Sequence, residues 1–218
     1  CIWYEADIVA TTVRNALEQG CDAVHLLDNG STDDTIANAV AAGATLERTF
    51  TTDRFPQDEH LRLVREVVDR VSLDSGQDHV WWLYLDADEL VEGPDGLSIR
   101  QLLEGLDRSF RVVGSDTVNH YPRTESPPLP GADPRAFPSN AHLRTGAACR
   151  EGHWKHPLVR WDAVGPELRP TSARWAWVEY MLAQGDQRVL EVELLLESRQ
   201  ERRARALVVV LEPEQAPL

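Results

Sequence analysis

Apolar residues return at Ile8, Val9, Val13, Ala16 and Leu17 within Glu5–Gln19, the spacing of a helix with one buried stripe. Gly20 stands where a left-handed residue would end it. "AVHLL" (Ala23–Leu27) is an apolar run of strand length, and the aromatic segment Cys1–Tyr4 reads as the end of another strand. "DNGSTDDT" (Asp28–Thr35) is dense in turn and cap formers, with Thr32 or Asp33 able to start a helix over Ile36–Ala42 that Gly43 ends. Thr45–Arg48 is a candidate third strand. A longer amphipathic helix is predicted over Gln57–Leu73, where Leu61, Val64, Val67, Val68 and Val71 share a side. After the polar turn Asp74–Asp78 come a strand over Trp81–Leu85, a short helix over Ser98–Leu106 and a strand over Phe110–Val113.

Strands alternating with helices predict an α/β domain with a mainly parallel sheet. Ligands bind such sheets beyond the carboxyl ends of the strands, where both acidic clusters, from Asp28 and from Asp86, fall. Tyr121–Pro138 is Pro-rich and reads as a long surface loop. After Gly165 the texture changes. Trp175–Gln184 and the charge-dense "ESRQERRAR" (Glu197–Arg205) read as helices, "ALVVVL" (Ala206–Leu211) has the length of a strand, and the last residues read as frayed. The expected division is a domain over residues 1–165 and an accessory, helical C-terminal extension over 166–218.

Charge and composition narrow the partners. The 218 residues suffice for one domain with a sizeable core. With 22 basic and 36 acidic residues the formal net charge is -14, a field that repels phosphates and argues against general binding of nucleic acid or anionic membrane. A phosphorylated ligand would need a metal ion or a local basic patch. Cys1, Cys21 and Cys149 are too scattered for a disulfide framework or a Cys-rich zinc site and read as free thiols in a reducing compartment. No apolar run reaches the roughly 18 residues needed to span a bilayer, and no signal peptide is visible, so a cytoplasmic location is expected. The start at Cys1, without an initiator Met, reads as a fragment or a trimmed start.

The chemistry concentrates in "WWLYLDADELVEG" (Trp81–Gly93), where five apolar or aromatic residues lead straight into Asp86, Asp88 and Glu89. Carboxylates this close repel one another, and a divalent cation at the sheet edge would cancel that repulsion and attract a diphosphate. Mg²⁺ and Mn²⁺ prefer oxygen ligands, commonly one or two carboxylates completed by substrate phosphates. A solvated strand-to-loop turn is the plain alternative.

The ordered pair "YEADIVATTVRNALEQGCDAVHLLDNGSTDDT" and "WWLYLDADEL" resembles the family 2 glycosyltransferases, which have the GT-A (Rossmann-like) fold with helices flanking the sheet. The bacterial branch whose motifs read N-E-A-D-I, D-N-G-S-T-D-G-T and D-A-D-E is the most similar. The match covers Cys1–Asp162, more loosely around "WKHPLVRWD" (Trp154–Asp162), with Tyr4 in place of the usual Asn and Asp34 in place of the usual Gly. The resemblance implies an inverting, metal-dependent transfer of a sugar from a nucleotide-diphosphate donor, uridine type favoured, to an acceptor hydroxyl. It implies Glu5 near the nucleoside, Asp28 on the base, Asp86 near the ribose or donor sugar, Asp88 on Mn²⁺ or Mg²⁺, and Glu89 in support. Asp86 also enters the candidate metal set.

"HLRTGAACREGHWKHPLVRW" (His142–Trp161) is a basic island in an acidic chain. It reads either as an ordinary exposed stretch or as a loop meeting the diphosphate, with Lys155 and Arg160 on the phosphates and His156 completing the metal shell. Trp81 and Trp82 read as core, while Trp154 and Trp161 are candidates for stacking on a sugar. Asp116, Asp162 and Glu167 are the candidate catalytic bases. The competing readings are a non-catalytic or truncated domain that keeps nucleotide or metal binding, and a sugar nucleotidyltransferase. The latter needs a Gly-rich basic loop where "YEADI" stands. No Walker A loop, G-x-G-x-x-G, G-x-S-x-G or H-E-x-x-H is present. The sequence leaves the sugar, the acceptor and the oligomeric state open.

Overall fold

The computed structural model describes residues 2–52, 57–122, 125, 129, 132–137, 139–143, 154–163, 189–199 and 207–211. Periodicity translates directly into structure in the first half. Helices α1 (Val9–Glu18), α2 (Thr35–Ala41), α3 (Gln57–Asp74) and α4 (Ile99–Gly105) alternate with strands β1 (Ala23–Asp28), β2 (Ala44–Thr49) and β3 (His79–Leu85). Gly20 ends α1 with φ at 92°, in the region only glycine enters without strain. At α4 the Ser98 hydroxyl accepts from the Gln101 amide and the Gln101 side chain accepts from the Ser98 amide, a reciprocal capping box. Asp33 accepts from the Thr35 amide (3.1 Å) and hydroxyl (2.6 Å) before α2.

β3 divides the core by its period of two. Trp81, Leu83 and Leu85 face one way, with Val9, Val13 and Ala16 of α1, Ala39 of α2 and Ile99 of α4. Val80, Trp82 and Tyr84 face the other, against Leu63, Val64, Val67 and Val68 of α3. Both tryptophans of this pair are core, and the Trp82 indole donates to the Ser72 hydroxyl at 2.9 Å. The chain is thus a mixed α/β structure with helices on both faces of a sheet.

Five further strands, β4 (Glu89–Glu92), β5 (Val112–Pro122), β6 (Ser139–Leu143), β7 (Trp154–Asp162) and β8 (Val189–Arg199), precede the last, β9 (Leu207–Leu211). They form a nine-stranded sheet in the order β2-β1-β9-β3-β7-β5-β8-β4, with β6 on β5. β1 pairs with β2 in parallel and β5 with β8 in parallel, while β9 runs antiparallel to both β1 and β3, and β7 antiparallel to both β3 and β5. A mainly parallel sheet therefore describes the direction of β1, β2, β3 and β5 and the ladder of β1 with β2, but antiparallel β9 stands between β1 and β3 and antiparallel β7 between β3 and β5.

Three expectations are corrected here. The helical C-terminal extension is strand in every one of its described residues, and Glu197–Arg199, placed in a helix by charge density, lie in β8 beside Val118–His120 of β5. Backbone pairing with distant partners overrides local propensity there. The basic loop becomes, from Trp154 onward, strand β7. The surface loop from Tyr121 starts two residues late, since β5 runs through Pro122. The helix expected over Trp175–Gln184 lies outside the described residues. No described helix is long and apolar enough to cross a membrane.

Because β9 is laddered on both sides, one backbone change tests its place. Val209 pairs with Val24 and with Leu83, and proline there removes an N–H from the sheet interior. Val209→Pro is expected to lower unfolding stability by roughly 2–4 kcal/mol, read by urea titration. An unchanged midpoint would take β9 out of the sheet.

Candidate functional site

The carboxyl ends of β1 and β3 meet at one edge. His25 and Tyr84 share Val208 as partner across β9, so Asp28 and Ala87, each three positions further on, stand at the same height. With one strand between them, the two chain ends are about 10 Å apart.

At the first end, Ile2 bridges to Asp28, its amide donating to the Leu27 carbonyl at 2.7 Å and its carbonyl accepting from the Asn29 amide at 2.9 Å. This carries the segment before α1 over the end of β1. The Tyr4 amide donates to the Ser31 hydroxyl (3.1 Å), the Tyr4 and Thr32 hydroxyls lie 3.0 Å apart, and the Glu5 amide donates to the Thr35 hydroxyl (2.8 Å). Tyr4 is held at φ 55°, a strained value for a residue with a side chain. Glu5, half-buried, therefore sits beside the loop that follows Asp28.

Asp28 is fully buried. Its Oδ2 accepts from the amides of Gly30 (3.0 Å) and Ser31 (3.1 Å), and Oδ1 accepts from Ser31 at 3.2 Å. These bonds compensate the desolvation of the carboxylate. Gly30 is obligatory in this turn: its φ is 73°, and a Cβ there would meet the Thr51 hydroxyl at 2.8 Å. The turn-forming role weighed for Asp28 in the sequence is thus the one the geometry displays.

At the second end, Asp86 and Asp88 are half-buried around the buried Ala87. Glu89 is turned inward, 2% exposed, its Oε2 accepting from the Asp86 amide at 3.0 Å while its own amide donates to the Asp86 carbonyl at 3.0 Å. Glu89 therefore closes the turn on itself. Helix α1 closes it from below. The Thr12 hydroxyl donates to the Ala87 carbonyl at 2.6 Å, and the Asn15 carboxamide donates to the Val91 carbonyl (3.1 Å) while accepting from the Val91 amide (2.7 Å). Sequence reading passed over Thr12 and Asn15. Their signal was polarity on the stripe that holds Val9, Val13 and Ala16.

Register places the remaining candidates. Asp116 pairs with Trp154, and Lys155 with Ser115. β7 runs antiparallel to β3, with Leu158 opposite Leu83, so Lys155 and His156 lie toward the carboxyl end of β3, and Asp116 with them. Asp162 and Arg160 do not belong to this edge. Asp162 pairs with His79, the first residue of β3, and Arg160 with Trp81, which puts them about 23 and about 17 Å along the strand from Asp86. There Asp162 is held between Arg111 (2.6 Å) and Arg160 (3.0 Å), and Arg160 also donates to the carbonyls of Arg108 and Phe110. Burial, and then the Arg160 charge, push the neighbouring His79 imidazole below its ordinary value. Asp162 as base and Arg160 as phosphate ligand are corrected by this separation. Trp161 is 1% exposed, its indole donating to Asp69 at 3.1 Å, so it is core rather than a sugar platform. Glu167 lies outside the described residues.

Among the described residues, no three His, Cys, Asp or Glu side chains are grouped to hold a metal ion. Asp86 and Asp88 offer carboxylate oxygens from a fixed turn, a donor set that suits Mg²⁺ or Mn²⁺ when water and a phosphorylated ligand fill the other positions. A scan against protein-family models found no match, and a search of curated proteins also found none.

The Asp28 turn yields a stability prediction. Asp28→Ala removes the acceptor of the Gly30 and Ser31 amides and is expected to cost about 1–3 kcal/mol, whereas Asp28→Asn keeps one oxygen acceptor and should lose less. Chemical denaturation of both variants measures this, and equal stability of Asp28→Ala and the parent chain would contradict the turn.

Proposed function

We propose that this chain is a GT-A glycosyltransferase of the family 2 type, transferring a sugar from a nucleotide diphosphate, uridine type favoured, to an acceptor hydroxyl with inversion. The observation that carries the reading is the convergence of two acidic turns, Asp28–Ser31 and Asp86–Glu89, at one height of one sheet edge, each following an apolar strand. The motif order Y-E-A-D-I, D-N-G-S-T-D, L-D-A-D-E supports the same reading.

Asp28 and the Glu5 segment would bind the nucleoside, Asp28 partly through the loop amides it orders. Asp88, with Asp86, would hold Mn²⁺ or Mg²⁺. Such a cation offsets the charge that grows on a leaving diphosphate. Lys155 and His156, on β7 near this edge, are the candidate phosphate and metal contacts from the basic stretch. In the reaction the acceptor oxygen forms its bond to the anomeric carbon as the bond from that carbon to the phosphate oxygen breaks. The electron pair leaves with the diphosphate. The acceptor proton passes to a carboxylate, for which Asp116 is the candidate base.

A second reading, a non-catalytic domain that binds nucleotide and metal, is favoured by one observation: the Asp28 carboxylate is already engaged by its own loop. Titration of uridine diphosphate in the presence of Mn²⁺, followed by donor hydrolysis, tests both. Saturable Mn²⁺-dependent binding with hydrolysis supports the enzyme, binding alone supports the second reading, and no binding removes both. Asp88→Asn is expected to retain the unfolding midpoint, since Asp88 is half-buried at a turn, and to lose Mn²⁺-dependent binding by at least about tenfold. Unchanged Mn²⁺ dependence would remove Asp88 from the metal.

A further inference from the structure

We infer that Thr12 and Asn15 are positioning residues for the acidic turn, setting where Asp86 and Asp88 present their carboxylates to a divalent cation. The inference rests on the metal and nucleotide reading above. It begins from an anomaly in α1, whose buried residues are Val9, Val13 and Ala16 together with the polar Thr11, Thr12 and Asn15. Thr12 is 0% and Asn15 1% exposed, and a polar group so buried is retained only where a partner waits for it. Both partners lie in the segment that carries the carboxylates, 75 and 76 residues away in sequence.

The contacts are specific to the geometry of the turn. Thr12 fixes the carbonyl of Ala87, the residue between the two aspartates, at 2.6 Å. That bond sets the plane of the Ala87–Asp88 peptide, from which the Asp88 side chain departs. Asn15 meets both backbone groups of Val91, as a neighbouring strand would. β4 is the terminal strand of the sheet path and is paired on one side with β8, so the carboxamide completes its other edge. Asp86 and Glu89 close the turn from within. Asp88 therefore sits between two backbone points anchored to α1. The same helix follows the Tyr4–Glu5 segment pinned to the loop after Asp28, so α1 holds both acidic ends in one frame.

A merely structural pair of hydrogen bonds would affect stability and nothing else, so the test separates the two. Thr12→Val and Asn15→Leu keep volume and remove the bonds, Thr12→Ser restores the hydroxyl, and Ser72→Ala is the control, since it removes a buried hydrogen bond, that to the Trp82 indole, on the α3 face. Each variant's unfolding midpoint is measured, and Mn²⁺ is titrated with uridine diphosphate present at a temperature where all are folded, by calorimetry and by the electron paramagnetic resonance signal of free Mn²⁺. Thr12→Val and Asn15→Leu are expected to weaken Mn²⁺ binding about 10- to 100-fold, the usual effect of losing a group that orients metal ligands. Thr12→Ser should recover most of that loss, and Ser72→Ala should lower the midpoint with unchanged Mn²⁺ affinity. If the parent chain binds Mn²⁺ with uridine diphosphate and Thr12→Val and Asn15→Leu bind it equally well, the positioning role is overturned and the functional reading survives. If the parent chain binds neither, both fall. Variants that do not fold at any temperature would be replaced by Asn15→Asp, which keeps the acceptor for the Val91 amide and loses the donor. A Mn²⁺ affinity unchanged in that variant also overturns the role.

Discussion

A buried turn must satisfy its own backbone, and in this chain a helix supplies the means. The segment from Asp86 to Val91 leads from the end of β3 into β4 with Ala87, Glu89, Leu90 and Val91 withdrawn from solvent, so its buried peptide groups cannot rely on water. Thr12 and Asn15 of α1 answer the Ala87 carbonyl and both groups of Val91. That fixes how α1 lies on the sheet, with Val9, Val13 and Ala16 seated against the Trp81, Leu83 and Leu85 face. It also fixes where the segment before α1 crosses the end of β1, and hence the loop that Asp28 orders.

The distribution of charge follows a related logic. In a chain of net charge -14, many described arginines are paired: Arg62 with Glu59 and Glu66, Arg70 with Glu47, Arg100 with Asp22, and Arg111 and Arg160 with Asp162. Asp28 is compensated by peptide dipoles and Glu89 by the Asp86 amide.

Local signals made much of the first half legible. The apolar stripe of α3, the Ser98–Gln101 cap of α4 and the run at β3 each depend on neighbours in sequence, and each element formed within a few residues of its expected bounds. What escaped depends on distant partners. β8 ends on Glu197–Arg199, the start of the charge-dense stretch that resembles a solvated helix, yet its ladder comes from β5 and β4. β9 has the composition of a strand, but nothing local says that it enters between β1 and β3. Of the site, the acidic turns were legible because Asp, Asn, Gly and Ser after an apolar run have few other uses. Asp162 and Arg160 were misplaced because β7 is antiparallel to β3, which sends them to the opposite end of the sheet. Thr12 and Asn15 were invisible because a polar residue on a helical stripe is read as a flaw until its partner is seen.

The most direct measurement is paramagnetic broadening of backbone amide signals when Mn²⁺ is added to the labelled chain with uridine diphosphate. Broadening should centre on Asp86–Glu89, extend to Gly30 and Ser31 across the edge, and spare His79 and Asp162 at the far end of β3. Broadening centred on the far end, or spread evenly over the acidic surface, would contradict a metal site built on the Asp86–Glu89 turn.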